Sequence, residues 1–205
     1  LNNPGQGFKA IPRTALRNMS LASMAVDFGD INRDGLDDFI VVDMLSRDHA
    51  DRQRQRPNMI KGLVAQPIED PEFRPEVARN TLFLNRGDGT YAEIAQLSGV
   101  AATEWTWGVL FLDVDLDGFE DLLIANGNGH DVQDADAIAQ INQVRDKESP
   151  AQRLGRFPRL EKENLAFRNR GDLTFEEIGQ KWGFNLRGDR QSTRLNSSHV
   201  SESRM

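Results

Sequence analysis

The chain has 205 residues, 38% hydrophobic and 28% charged, with a formal net charge of −7. An acidic chain lacks the basic surface that a phosphate backbone requires, so nucleic acid is excluded as a partner and cations are favoured. No apolar run approaches the roughly twenty residues that cross a bilayer, and the lack of cysteine removes disulfides and thiolate metal or redox sites.

In chain order, the first pattern is NNPGQGFKAI (Asn2 to Ile11), a weak copy of a hairpin that recurs later. Next comes MAVDFGDINRDGLDDFIVVDM (Met24 to Met44). It reads as a strand from Met24 to Phe28, an acidic loop, and a strand from Asp38 to Asp43. Residues 45–79 form a long insertion with Arg47, Arg52, Arg54 and Arg56 followed by apolar residues and prolines, and it is expected to be partly helical. The segment NTLFLNRGDGTYAEIAQLSG (Asn80 to Gly99) supplies strands Thr81 to Asn85 and Thr90 to Ile94 around a turn whose glycines can take positive φ.

The same order then repeats. WGVLFLDVDLDGFEDLLIANG (Trp107 to Gly127) gives strands Trp107 to Leu112 and Asp121 to Ala125 around a second acidic loop. Residues 128–163 are a second, partly helical insertion, with Asp134 as N-cap of a helix carrying Ile138, Ile141 and Val144. NLAFRNRGDLTFEEIGQKWG (Asn164 to Gly183) supplies strands Leu165 to Asn169 and Thr174 to Ile178. Two different patterns thus share a period of about 83 residues. The predicted fold is all-β: a partial β-propeller of about two four-stranded blades plus part of a third, with partly helical insertions on one face.

Residues 1–188 are expected to form this array and 189–205 a non-native tail. From Asp189 the sequence DRQSTRLNSSHVSESRM has no hydrophobic periodicity. It resembles the translation of a sequencing adapter with one change at Gln191.

The acidic loops carry the chemistry. DINRDGLDD (Asp30 to Asp38) and DVDLDGFED (Asp113 to Asp121) both fit D-x-[DN]-x-D-G-x-x-D. Calcium takes six to eight oxygens at about 2.3–2.6 Å, and a tight loop aims alternate side chains inward to supply them. The expected ligands in the first loop are Asp30, Asn32, Asp34 and Asp38, with the carbonyl of Leu36. Their counterparts in the second are Asp113, Asp115, Asp117 and Asp121, with the carbonyl of Phe119. Gly35 and Gly118 stand where the backbone must turn sharply. Asp37 and Glu120 fall out of phase and are expected to face water. Packed carboxylates repel unless a cation sits among them, and four carboxylates against three predict tighter binding at the second loop. An EF-hand would need a glutamate at the twelfth position, where Val41 and Ile124 stand in strand-like runs.

DFGDINRDGLDD, FLDVDLDGFEDL and the NRGDGTYAEI and NRGDLTFEEI hairpins resemble the FG-GAP or VCBS repeat proteins, in the branch related to cartilage acidic protein and the ASPIC/UnbV group. The resemblance covers roughly Asn2 to Gly188. It implies calcium-binding hairpin loops in propeller blades of a secreted, cell-surface or periplasmic protein. The insertions make these units longer than the family's usual blade, and two units with part of a third cannot close a ring. The chain, which opens on Leu1 inside the repeat, is therefore expected to be a fragment.

Arg-Gly-Asp at 86–88, 170–172 and 187–189 is explained by turn requirements or by the tail. His130 with Asp131, Asp134 and Asp136 reads as a loop entering a helix, and Trp105, Trp107 and Trp182 as core. No nucleophile constellation or phosphate loop stands out. The expected function is a noncatalytic, calcium-binding structural or interaction module, with a protein or carbohydrate ligand reached through the insertions. The alternative is part of a larger enzyme whose active site lies on the insertion face or in another domain.

Overall fold

The computed structural model describes residues 2–3, 7–8, 12–61 and 74–188, so the expected tail and the middle of the first insertion lie outside the described residues. Short strands β1 (Asn2–Asn3), β2 (Gly7–Phe8) and β3 (Met19–Ser20) lead into β4 (Ala25–Gly29) and β5 (Asp38–Val42). The first insertion holds β6 (Met44–Leu45), α1 (His49–Lys61) and β7 (Glu76–Val77), and β8 (Thr81–Asn85) and β9 (Tyr91–Glu93) complete the first unit. The second begins with β10 (Glu104–Leu112) and β11 (Asp121–Asn126). After α2 (Ala135–Val144), α3 (Pro150–Leu154) and β12 (Lys162–Glu163) it ends with β13 (Leu165–Asn169), β14 (Phe175–Glu177), α4 (Gly179–Trp182) and β15 (Arg187–Gly188).

The fold is mostly β with few helices. The expected four-strand order appears twice, as the sheet β4-β5-β8-β9 and as β10-β11-β13-β14, with all neighbours antiparallel. The weak N-terminal copy is also a hairpin, with Asn2 opposite Phe8. Sequence did not foresee that β6 joins the second sheet as a fifth strand, pairing Met44 and Leu45 with Trp105 and Glu104. The first strand of the second unit consequently begins at Glu104 rather than Trp107, and a bulge between Thr106 and Gly108 absorbs the extra length.

Each sheet alternates two faces. From the first sheet Ile40, Val42 and Leu82 meet Phe111, Leu122, Ile124 and Phe167 of the second in one core. Burying a side chain of this size contributes about 1.5–3 kcal/mol. Matching polar ties repeat at the sheet ends. The Asn80 side-chain carbonyl accepts the Asp43 N–H at 2.8 Å, and that of Asn164 accepts the Asn126 N–H at 2.9 Å. Ile94 N–H to Leu82 O and Ile178 N–H to Ala166 O are both 2.8 Å.

Both insertions carry the expected helical turns. Asp134 caps α2 through the Ala137 N–H at 2.8 Å, and α3, which sequence did not foresee, opens on a capping box between Ser149 and Gln152. The insertions clasp one another. Gln55 donates to Asp131 at 3.1 Å, and the Lys162 ammonium lies 3.0 Å from both Asp51 and Glu104. No described helix is long and apolar enough to cross a membrane. Trp105 is buried at 5% exposure as expected of core, whereas Trp107 and Trp182 are half-buried.

Candidate metal centre

The two acidic loops close by the same backbone bonds. In the first, the Asp30 carboxylate accepts the N–H groups of Asp34 and Gly35 at 3.0 and 2.8 Å, and Asp34 accepts that of Leu36 at 2.9 Å. In the second, Asp113 accepts from Asp117 and Gly118 at 3.1 and 2.9 Å, and Asp117 from Phe119 at 2.9 Å. Such short-range bonds are why Asp and Asn favour turns. They also leave free lone pairs, since an ionised carboxylate offers about four acceptor sites.

Gly35 and Gly118 take φ of +81° and +90°, as the sharp turn requires. Two positions earlier the chain is also left-handed, at Arg33 (+62°) and Leu116 (+60°), which the spacing alone did not show. Leu116 is 85% exposed, so its side chain returns little packing for a conformation costing about 1–2 kcal/mol in an L-residue. Asparagine tolerates this region. Leu116→Asn is expected to raise stability by about 1 kcal/mol, read as a higher urea midpoint with unchanged slope; a lower midpoint would contradict the strain argument.

Among the described residues, Asp113, Asp115 and Asp117 bring carboxylate oxygens within 4.8 Å of one another, the only such acidic or histidine group. His130, Asp131, Asp134 and Asp136 form no comparable group; Asp134 is spent on the helix cap and Asp131 on Gln55 and the Gln133 N–H. In the first loop Asn32 stands where Asp115 does, and its amide donates to Asp34 at 2.9 Å.

The ninth-position aspartates differ from the others. Asp38 and Asp121 are fully buried, and each clasps its loop to the third strand of its unit. Asp38 accepts the N–H groups of Ile31 and Asn85 at 3.1 and 2.7 Å; Asp121 accepts those of Val114 and Asn169, both at 2.9 Å. Burial pushes the Asp38 carboxyl up to about 6 and raises Asp121 as well, against these lowering hydrogen bonds. A carboxyl raised above its unfolded value of about 3.9 binds its proton more readily in the folded chain, so its contribution is greatest at low pH. The metal-free chain is therefore expected to lose stability from these groups as pH rises from about 4 to about 6. Saturating calcium, which favours the ionised form, is expected to flatten that slope in urea titrations at several pH values.

Charges outside the loops complete the site. Arg168 of β13 lies 2.6 Å from Asp115 through Nε, close as an ion pair though poorly aligned as a hydrogen bond, and 2.8 Å from Asp117 through Nη2. A backbone bond from Phe119, assisted by Arg168, holds the Asp117 carboxyl below its ordinary range. Arg33 of the first loop reaches over the Phe119 ring at 5.3 Å, so the loops lie side by side. Sequence reasoning missed Arg168, although the repeat carried the signal: Asn32 and Leu84 become Asp115 and Arg168 together, so the extra carboxylate arrives with its own cation.

Asp37 is exposed as expected, but Glu120 is not. Its Oε2 is sealed from solvent against Gly29, where an added Cβ would lie 2.1 Å from it, and a backbone hydrogen bond from Asp30 reaches the carboxylate. Burial first, then the nearby Asp30, Asp27 and Asp37, raises its pKa. Period alone placed it outward; the neighbouring sheet closes over it.

The Arg-Gly-Asp turns serve the hairpins. Gly87 and Gly171 both take φ of +73°, while Asp88 and Asp172 accept the N–H groups of Thr90 and Thr174 at 2.9 and 3.0 Å. Asp189 of the third lies outside the described residues.

No curated protein matches the chain. Residues 74–124 match the FG-GAP-like repeat family, a stretch that runs from β7 through the hairpin of the first unit and the second acidic loop into β11. The chain thus carries an FG-GAP-like repeat at residues 74–124, of which the Asp113 to Asp121 loop is part.

Proposed function

We propose that the chain is a calcium-binding structural and interaction module, built as successive propeller blades of an exported protein and without a catalytic centre of its own. The observation that carries this reading is the convergence of Asp113, Asp115 and Asp117 on one point inside an FG-GAP-like repeat. Oxygen donors alone, several of them anionic, suit a hard divalent cation. Asp113, Asp115, Asp117 and Asp121 with the Phe119 carbonyl would hold it in the second loop; Asp30, Asn32, Asp34 and Asp38 with the Leu36 carbonyl would do so in the first. The bound ion would offset repulsion among the carboxylates and lock the hairpin. Its role would be structural, since each loop is tied to the third strand of its unit through Asp38 or Asp121. The clasped insertions offer a surface for a protein or carbohydrate ligand.

Calorimetric titration of chelator-treated chain with calcium chloride tests the assignment. Two sites are expected, and Asp113→Ala with Asp117→Ala should leave one. Arg168 adds a refinement to the carboxylate count: a cation entering the second loop must displace its guanidinium, whereas Leu84 stands at the corresponding place beside the first. Arg168→Met is expected to strengthen the second site severalfold and leave the first unchanged. Absence of any calcium heat would remove the proposal, and an unchanged second site in Arg168→Met would remove only the competition.

A further inference from the structure

We infer that calcium binding at the two acidic loops is positively coupled, with Asn169 as the positioning residue that ties one loop to the other. This rests on the calcium reading above. The loops belong to different units, yet they share contacts through Asn169, Glu120 and Arg33. The Asn169 side-chain amide donates to the carbonyl of Ile31 in the first loop at 2.8 Å and to that of Glu120 in the second at 3.1 Å. The Glu120 carboxylate accepts the backbone N–H of Asp30. The Arg33 guanidinium lies 5.3 Å over the Phe119 ring, so near the turn that a Cβ at Gly118 would stand 2.9 Å from its Nη1.

Each contact lands on or beside an expected ligand. Asp30 is itself a ligand of the first loop and Ile31 follows it; Phe119 offers its carbonyl to the second, and Glu120 stands between Phe119 and Asp121. The central tie is buried, with Asn169 and Ile31 each at 1% exposure and Ile31 packed in the core that both sheets share. A buried amide bonded on both sides holds its two carbonyls at a fixed separation, because a shift of either loop would leave a polar group unpaired away from water. The repeat supplies the contrast. Asn85, the counterpart of Asn169, donates to the Asp37 carbonyl at 3.1 Å, as Asn169 does to Glu120, but its other contact is the Tyr91 hydroxyl at 3.5 Å within its own unit. Both asparagines also accept a turn N–H, from Gly87 at 3.0 Å and Gly171 at 2.9 Å. The tie within a unit is therefore common to both, and the bond to Ile31 is added by Asn169.

A loop that closes on a cation loses freedom, and groups held in common lose it once for both loops. With the first loop filled, Asp30 and Ile31 are fixed, and through Glu120 and Asn169 so is the segment that carries the Phe119 carbonyl and Asp121. The second loop is then ordered before its own cation arrives. By linkage the effect runs equally in the other direction. Repulsion between two bound cations opposes the coupling, but Asp34 and Asp117 open to solvent, so salt screens it while the buried ties remain. The coupling should accordingly persist or grow at raised salt.

Calorimetric titration of the full, chelator-treated chain with calcium chloride, at moderate and high salt, tests the proposal. The affinity of each loop is measured with the other intact and with the other disabled, by Asp34→Ala in the first or Asp117→Ala in the second. Disabling either loop is expected to weaken the survivor about fivefold or more, by the same factor in both directions. Asn169→Ala should bring that factor close to one. Arg33→Asn should reduce it as well; Arg33 is exposed and left-handed, a conformation that asparagine tolerates, so this variant keeps the test open should Asn169→Ala fail to fold. Because the readout is a ratio, the loss of a nearby cation in Arg33→Asn cancels. Asn85→Ala is the control for a merely structural role: it should loosen the first loop and lower stability in chelator without changing the factor. Calcium heat at both loops with affinities indifferent to the state of the neighbour would overturn the coupling and leave the calcium reading standing. Absence of any calcium heat would remove both. A factor unchanged in Asn169→Ala and in Arg33→Asn would overturn the assignment to these contacts.

Discussion

Chelator-treated chain is expected to unfold well below the temperature at which the same chain unfolds in excess calcium. A site binding only the folded state contributes about 2.7 kcal/mol when free cation is a hundredfold above its dissociation constant, so two such sites contribute about 5 kcal/mol. Domains are stable by only about 5–15 kcal/mol in total, which makes this a large fraction. At about 2–4 °C per kcal/mol for a chain of this size, the midpoint should shift by roughly 10–20 °C. Magnesium should do less, because it demands near-octahedral geometry and gives up its water reluctantly. A scanning-calorimetry midpoint indifferent to calcium would show that the loops are closed by their backbone hydrogen bonds alone.

The second large effect separates the ninth-position aspartates from the rest of each loop. Asp121→Ala should destabilise the chain even in chelator, because it leaves the N–H groups of Val114 and Asn169 without their acceptor in a buried place. Each unsatisfied buried donor costs about 1–3 kcal/mol, so a loss of about 2–6 kcal/mol for the two is expected in urea unfolding. Relief of burying a carboxyl whose pKa is raised offsets part of this. Asp38→Ala should behave alike through Ile31 and Asn85. Asp117→Ala should differ in kind: its side chain is exposed, and it should abolish the calcium response of the second loop while leaving chelator-phase stability nearly unchanged. Equal losses for Asp117 and Asp121 in chelator would contradict the division of labour.

That division was only half legible beforehand. Spacing identified nine-residue loops with acceptors at alternate positions, and spacing is what backbone geometry enforces locally. It could not distinguish Asp117, open to solvent, from Asp121, whose oxygens are bonded by Val114 in its own loop and by Asn169, distant in sequence. Burial depends on which strand lies alongside, and that strand follows a 36-residue insertion, residues 128–163. Glu120 shows the same limit. Its place in the period pointed to water, yet the close approach of the sheets at Gly29 seals one of its oxygens.

Sequence by itself determined the elements that repeat: four strands per unit, two acidic loops, two hairpins with positive-φ glycines, and an Asp134-capped helix. All of these depend on interactions within a few residues, or on period-two burial that any half-covered strand shows. Only the tertiary structure decided that Arg168 sits on Asp115 and Asp117, that β6 crosses to the second sheet, that Asp38 and Asp121 are clasps, and that Phe28 stays open where Phe111 is covered. The physical reason is common to all four. Charge pairing, strand exchange and burial are set by the partner that packing brings to a residue, and residues with equivalent places in the repeat can meet different partners.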